Sequence, residues 1–163
     1  MLSALKWLLV VLVGVPILAV IAGQLGAFSG RAPDDLGVKD GKLKPPARTP
    51  NSVTSQAGLY PDHPQRVYAT IAPLPLQGDA AQSLAKVRTV LAGMPGVVIV
   101  KNEPGYLYAQ CTTRLMKYVD DLEFWADPAS GVLQVRSASR VGRSDLGVNR
   151  ARVEAIRAQY MAR

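Results

Sequence analysis

The chain has 163 residues, a formal net charge of +7, 48% hydrophobic residues, one cysteine and one histidine. A lone Cys111 excludes an intramolecular disulfide, and one Cys with one His excludes a zinc site built from such ligands. With the first 30 residues set aside, about 130 remain, the size of one domain that needs neither disulfide nor metal to fold.

Between Lys6 and Arg31 there is no charged side chain. About 20 apolar residues cross a bilayer as a helix, and the run from Leu8 to Phe28 reaches that length, with Trp7 and Phe28 at its ends where aromatic rings favour the interface. Pro16 is tolerated in such a helix. Residues 1–30 therefore read as a single-pass membrane anchor. Cleavage as a signal peptide after the small residues at Ala22 or Gly26-Ala27 is the alternative. The side of the membrane is contested. Lys6 favours a cytoplasmic N-terminus, but Arg31, Lys39, Lys42, Lys44 and Arg48 follow the run, and basic flanks also prefer the cytoplasm.

Residues 31–50 carry Gly30, Pro33, Gly37, Gly41, Pro45, Pro46 and Pro50 in and beside them, and predict a tether. A domain over 51–163 follows. Arg66 to Ile71 alternates between Pro64 and Pro73 and predicts a strand. Asp79 is placed to cap a helix with Leu84, Val87, Val90 and Leu91 on its inner side, ended by Gly93 and Pro95. Val97-Val98-Ile99-Val100 predicts a short strand, Asn102 to Gly105 a turn, and Tyr106 to Thr113 another strand holding Cys111 in the core.

Val119 to Trp125 and Val132 to Ser139 predict a hairpin around Asp127-Pro128-Ala129-Ser130, whose Asp-Pro order suits a type I turn. Pairing Ala126 with Gly131 groups Leu122, Phe124, Leu133 and Val135 on one face, sets Asp121 against Arg136 and sets Glu123 against Gln134. A slip of one residue would mix apolar and charged side chains on both faces. A last helix after Asn149 turns Val153, Ile156 and Tyr160 inward. The expected class is α+β: about five strands in the order β-α-β-β-β-β-α, forming a small antiparallel sheet with helices on one face, behind the membrane helix.

The stretch from Arg136 to Arg150, RSASRVGRSDLGVNR, is the most distinctive. Together with Tyr118 to Phe124 and Pro50 to Gln56, it resembles the domain-of-unknown-function family 1499 over about residues 36–160. The resemblance implies an α+β domain, often behind a membrane or export segment, and implies no activity. It also motivates placing the domain outside the cytoplasm, in the cell envelope.

Seven arginines and only two acids lie between Arg136 and Arg163. Arg136, Ser139, Arg140, Arg143, Ser144 and Arg150 are the candidate anion-binding residues, since a loop before a helix N-terminus suits phosphate or carboxylate. The competing structural reading pairs Arg136 with Asp121, lets Asp145 accept loop N–H groups and makes Asn149 the helix cap. Asp120, Asp121 and Glu123 read as a solvated strand edge, because adjacent strand residues face opposite ways.

No phosphate loop, dinucleotide motif or nucleophile elbow occurs, so neither a cofactor nor a metal is expected and no catalytic residue is assigned. The expected role is a membrane-tethered, non-enzymatic module that binds an anionic ligand, a lipid head group or an envelope protein. A hydrolase or transferase using Asp121, Glu123, Ser139 and Arg140 is the alternative. Nucleic acid is not an expected partner: aromatic residues make up 6% of the chain, and the membrane segment argues against it.

Overall fold

The computed structural model describes residues 2–162. Helix α1 spans Leu2–Gln24 with Pro16 inside it, and its stretch Lys6–Gln24 is long and apolar enough to cross a membrane. Such a helix matches the thickness of a hydrocarbon core, since 19 residues rise about 28 Å at 1.5 Å each.

The domain is α+β. Its elements run β1 (Ser52–Thr54), α2 (Arg66–Ala69), β2 (Leu74–Pro75), α3 (Ala80–Ala92), β3 (Val97–Glu103), β4 (Tyr106–Thr112), β5 (Val119–Asp127), β6 (Val132–Ser139) and α4 (Val148–Met161). All strand pairings are antiparallel. The sheet has six strands in the order β1-β6-β5-β4-β3, and β2 also pairs with β6. The exposed edge strand β3 is interrupted at Val100, where the register shifts between Ile99 and Lys101.

Helices α3 and α4 cover one face. Leu84, Val87, Val90 and Leu91 from α3 meet Val153, Ile156 and Tyr160 from α4 over Leu107, Ala109, Cys111, Leu122, Phe124, Leu133 and Val135. Asp79 starts α3 through a capping box: its carboxylate accepts from the Gln82 N–H while the Gln82 side chain accepts from the Asp79 N–H. The apolar periods on these elements are those of the sequence, which is why the two helices and strands β4, β5 and β6 fall where expected.

Three features differ from expectation. Arg66–Ala69 is one turn of helix rather than a strand, with the Thr70 N–H on the Arg66 carbonyl and the Ala69 N–H on that of Gln65. Pro64 just ahead suits a helix start, and a single turn is too short to display a 3.6-residue period against an apparent alternation. Strands β1 and β2 were not anticipated, being three and two residues long.

The β5–β6 register is also displaced by two residues: Ala126 pairs with Leu133, Glu123 with Arg136 and Asp121 with Ala138. The loop keeps the expected four residues but moves one position along the chain, from 127–130 to 128–131. Asp127 pairs with Val132, and Gly131 donates back to the Asp127 carbonyl in a left-handed conformation (φ 64°) open to glycine. A slip of two keeps every side chain on its face, so the hydrophobic pattern alone does not separate the two registers.

The second face of the sheet is covered by the Pro/Gly-rich stretch ahead of β1. Leu43 is 1% exposed and, with Leu36, packs on Tyr106, Tyr108 and Trp125. Its backbone N–H donates to the Gln56 side chain, and the Ala47 N–H donates to Ser52.

Candidate functional site

Strand alternation places the charged residues of β5 and β6 in two separate clusters, one on each face of the sheet. Beneath the 36–45 stretch, Asp121 and Glu123 of β5 lie beside Tyr106 and Tyr108 of β4, Arg136 of β6 and Arg140 just past the end of β6. Arg140 donates from Nε to both Asp121 oxygens (3.1 and 3.0 Å) and from an Nη to Oδ1 (2.7 Å), and Tyr108 donates its hydroxyl to the same oxygen at 2.6 Å. Glu123 is fully buried. It accepts from Arg136 at 3.3 Å, from the Tyr106 hydroxyl at 2.8 Å and from the Gly37 N–H at 2.9 Å. Arg136 also donates to the Pro45 carbonyl. Burial, with the Glu123 charge added, pushes the Tyr106 phenol far above its ordinary range, so it remains a donor. The hydrogen bonds to Asp121 raise the Arg140 guanidinium further.

On the helix face, α4 brings Asn149 and Arg152 over β5 and β6. Arg152 donates to Asp120 at 2.6 Å, to the side-chain Oδ1 of Asn149 at 2.8 Å and to the Ser137 hydroxyl at 3.2 Å. The Asn149 amide reaches the Ser139 hydroxyl, the Asn51 carbonyl and Asp145. Asp145 accepts from the backbone of Gly147 and Asn149 and from the Tyr68 hydroxyl. Burial opposes its charge, but these donors prevail and hold its carboxyl below the usual range. Arg150 donates to the Tyr68 carbonyl.

The candidate residues are therefore not brought to one place. Arg136 and Arg140 lie on one face, Ser139 is held by Asn149 on the other, and Arg150 ties α4 to the 66–69 turn. Arg143 and Ser144 are exposed. The pairing of Asp121 with Arg136 is corrected: Asp121 binds Arg140, and Arg136 binds Glu123. Asp120, Asp121 and Glu123 are buried rather than at a solvated edge, because β5 is flanked by β4 and β6. Asn149 is a buried residue inside α4, and Asp145 satisfies the helix N-terminus, whose cap position is Gly147. Asp145 does accept loop N–H groups as expected.

Sequence reading missed Tyr68, Tyr106, Tyr108 and Arg152. A signal was present. Tyr106 and Tyr108 share a strand face, as do Asp121 and Glu123, and a buried tyrosine hydroxyl usually finds a partner. Asn149 and Arg152 are spaced three apart on one helix face.

No group of three or more metal-ligating side chains occurs among the described residues. Two shallow clefts, of about 560 and 590 Å³, flank Leu59. In the first, Ser55, Asp127, Ser130 and Gln134 are bonded to one another. Asp121, Glu123 and Arg140 share a face that Ser139 does not, and each carboxylate is matched to a buried cation.

Residues 42–160 match the family described as "protein of unknown function (DUF1499)", and the chain belongs to that family. No curated protein and no solved structure matches the chain.

Proposed function

We propose that the chain is a single-pass membrane protein whose α+β domain is a non-enzymatic binding module held outside the cytoplasm. Its partner is anionic: a head group or an acidic envelope protein met by the exposed part of the 140–150 loop. The observation that carries the non-enzymatic reading is the closure of both polar clusters. Asp120, Asp121 and Glu123 are each engaged by an arginine at 2.6 to 3.3 Å, leaving none of these three carboxylates free for acid–base work. Of the loop arginines, Arg143 is the one turned to solvent. Retention of α1 is supported by its length, since the apolar stretch Lys6–Gln24 is longer than the usual signal-peptide core.

The full-length chain in detergent, assayed against generic ester, phosphoester and glycoside substrates, is expected to show no turnover. Turnover that Asp121→Asn abolishes while the fold is retained would overturn the reading. A C-terminal phosphatase fusion in an exporting cell is expected to be active, and an inactive one would place the domain in the cytoplasm.

A further inference from the structure

Three chain segments meet at the end of the domain where α1 arrives. The terminal turn of α1 sits against the β4–β5 loop: a Cβ on Gly23 would lie 2.6 Å from the Met116 carbonyl oxygen. Phe28 stacks on Tyr118 with ring centroids 5.4 Å apart. Gly30 lies against Arg140 and Val141 at the start of the β6–α4 loop. The two loops also line one cavity of about 260 Å³, to which Thr113, Tyr118, Val141 and Leu146 contribute. The 113–118 and 141–148 loops are thus neighbours, and both flank the exit of the membrane helix.

We infer that this rim, led by Leu115 and Leu146, docks the domain directly onto an anionic lipid surface. The inference rests on the proposal that α1 spans the bilayer. The apolar stretch of α1 ends at Gln24, and Gln24 is the residue bonded to the 114–115 backbone. The loop carrying Leu115 therefore sits at the depth where hydrocarbon gives way to head groups.

The exposed side chains there are of the kind that interface accepts. Leu115 is 60% exposed and Leu146 93% exposed. Arg114, Lys117 and Arg143 belong to the same two loops, and none forms an ion pair among the described residues. Apolar tips ringed by lysine and arginine suit a surface of acyl chains beneath anionic head groups, where each basic residue adds to the attraction.

Leu146 supplies an independent argument. Its backbone is left-handed (φ 51°), a region unfavourable for a leucine and much less so for asparagine or aspartate. A bulky apolar side chain held outward on a strained backbone has no partner in the domain, and the bilayer is the neighbour within reach.

The test uses the full chain in vesicles of phosphatidylcholine containing phosphatidylglycerol. An environment-sensitive fluorophore is placed at Ser144→Cys, beside the rim. The control is Ala129→Cys, on the β5–β6 turn at the opposite end of the sheet, and buried Cys111 stays unlabelled. A nitroxide carried at the lipid head group is expected to quench the probe at 144 several-fold more than the probe at 129. Leu115→Asp with Leu146→Asp should reduce quenching at 144 to the control level while the protein still floats with the vesicles. Both changes are at exposed positions, and aspartate suits the left-handed backbone. Equal quenching at 144 and 129 in protein that floats would overturn docking and leave the anchor standing. Protein that does not float with the vesicles at all would overturn the anchor, and docking with it.

Discussion

Arg140 grips Asp121 through Nε and an Nη, with both side chains more than nine-tenths buried (6% and 3% exposed) and with Tyr108 on the same carboxylate. Breaking such a pair strands a charge in a low-dielectric site, which costs about 3–5 kcal/mol. Arg140→Ala and Asp121→Ala should each destabilise the domain by that order. The double variant should be less damaged than the sum, since the stranded charge is gone. Urea unfolding of the four proteins reads the coupling, and additivity would mean that the pair does not form. Glu123 with Arg136 should behave in the same way.

Leu43→Ala tests whether residues 31–50 are part of the folded body. Leu43 packs on Tyr106 and Tyr108. Its truncation should cost about 2–5 kcal/mol, the usual range for a buried leucine. A free tether would show no change in the urea midpoint.

Asp145 makes the domain sensitive to acid. Its folded pKa lies below its unfolded value, so its contribution is fully present above the ordinary carboxylate pKa, about 3.9, and is lost as pH falls through the depressed value. Tyr68→Phe removes one donor to the charged Asp145, so it should lower stability most near neutrality and least once Asp145 is protonated, and the lower overall stability should move acid unfolding to higher pH. Circular dichroism across an acid titration measures this, and an unchanged midpoint would show that the Tyr68 hydroxyl contributes nothing.

Cys111 should be inert in the native protein. Burial pushes its thiol up to about 11, against a smaller opposing effect of the Arg152 charge. A thiol reagent near neutral pH is expected to react with it only after unfolding. Stoichiometric labelling of the folded protein would contradict the packing around β4.

The parts legible in the sequence are those whose signal is periodic. Asp79 as the cap of α3, the inner faces of α3 and α4 and the two faces of β5 and β6 all follow from residue type and spacing. The partner of Asp121 does not, because a two-residue slip leaves each face unchanged and only the Asp127–Gly131 loop geometry decides it. The 66–69 turn and strands β1 and β2 are too short to carry a period. The burial of Glu123 was hidden for another reason: it depends on Gly37 and Leu43, which lie in a stretch whose prolines and glycines suggest an extended linker.

That covering stretch has a consequence for how the protein is made. The Gly37 N–H meets Glu123 across 86 residues of chain, and β1 waits for β6 to complete its pairing. Almost the whole domain must therefore be synthesised before its first residues find their contacts, which is the non-local wiring that slows folding. By then α1 has long since left the ribosome and is available to the insertion machinery. If the domain crosses the membrane, it does so as an unclosed chain. On the proposed topology the sheet forms afterwards, with its N-terminal strap held at the bilayer by α1.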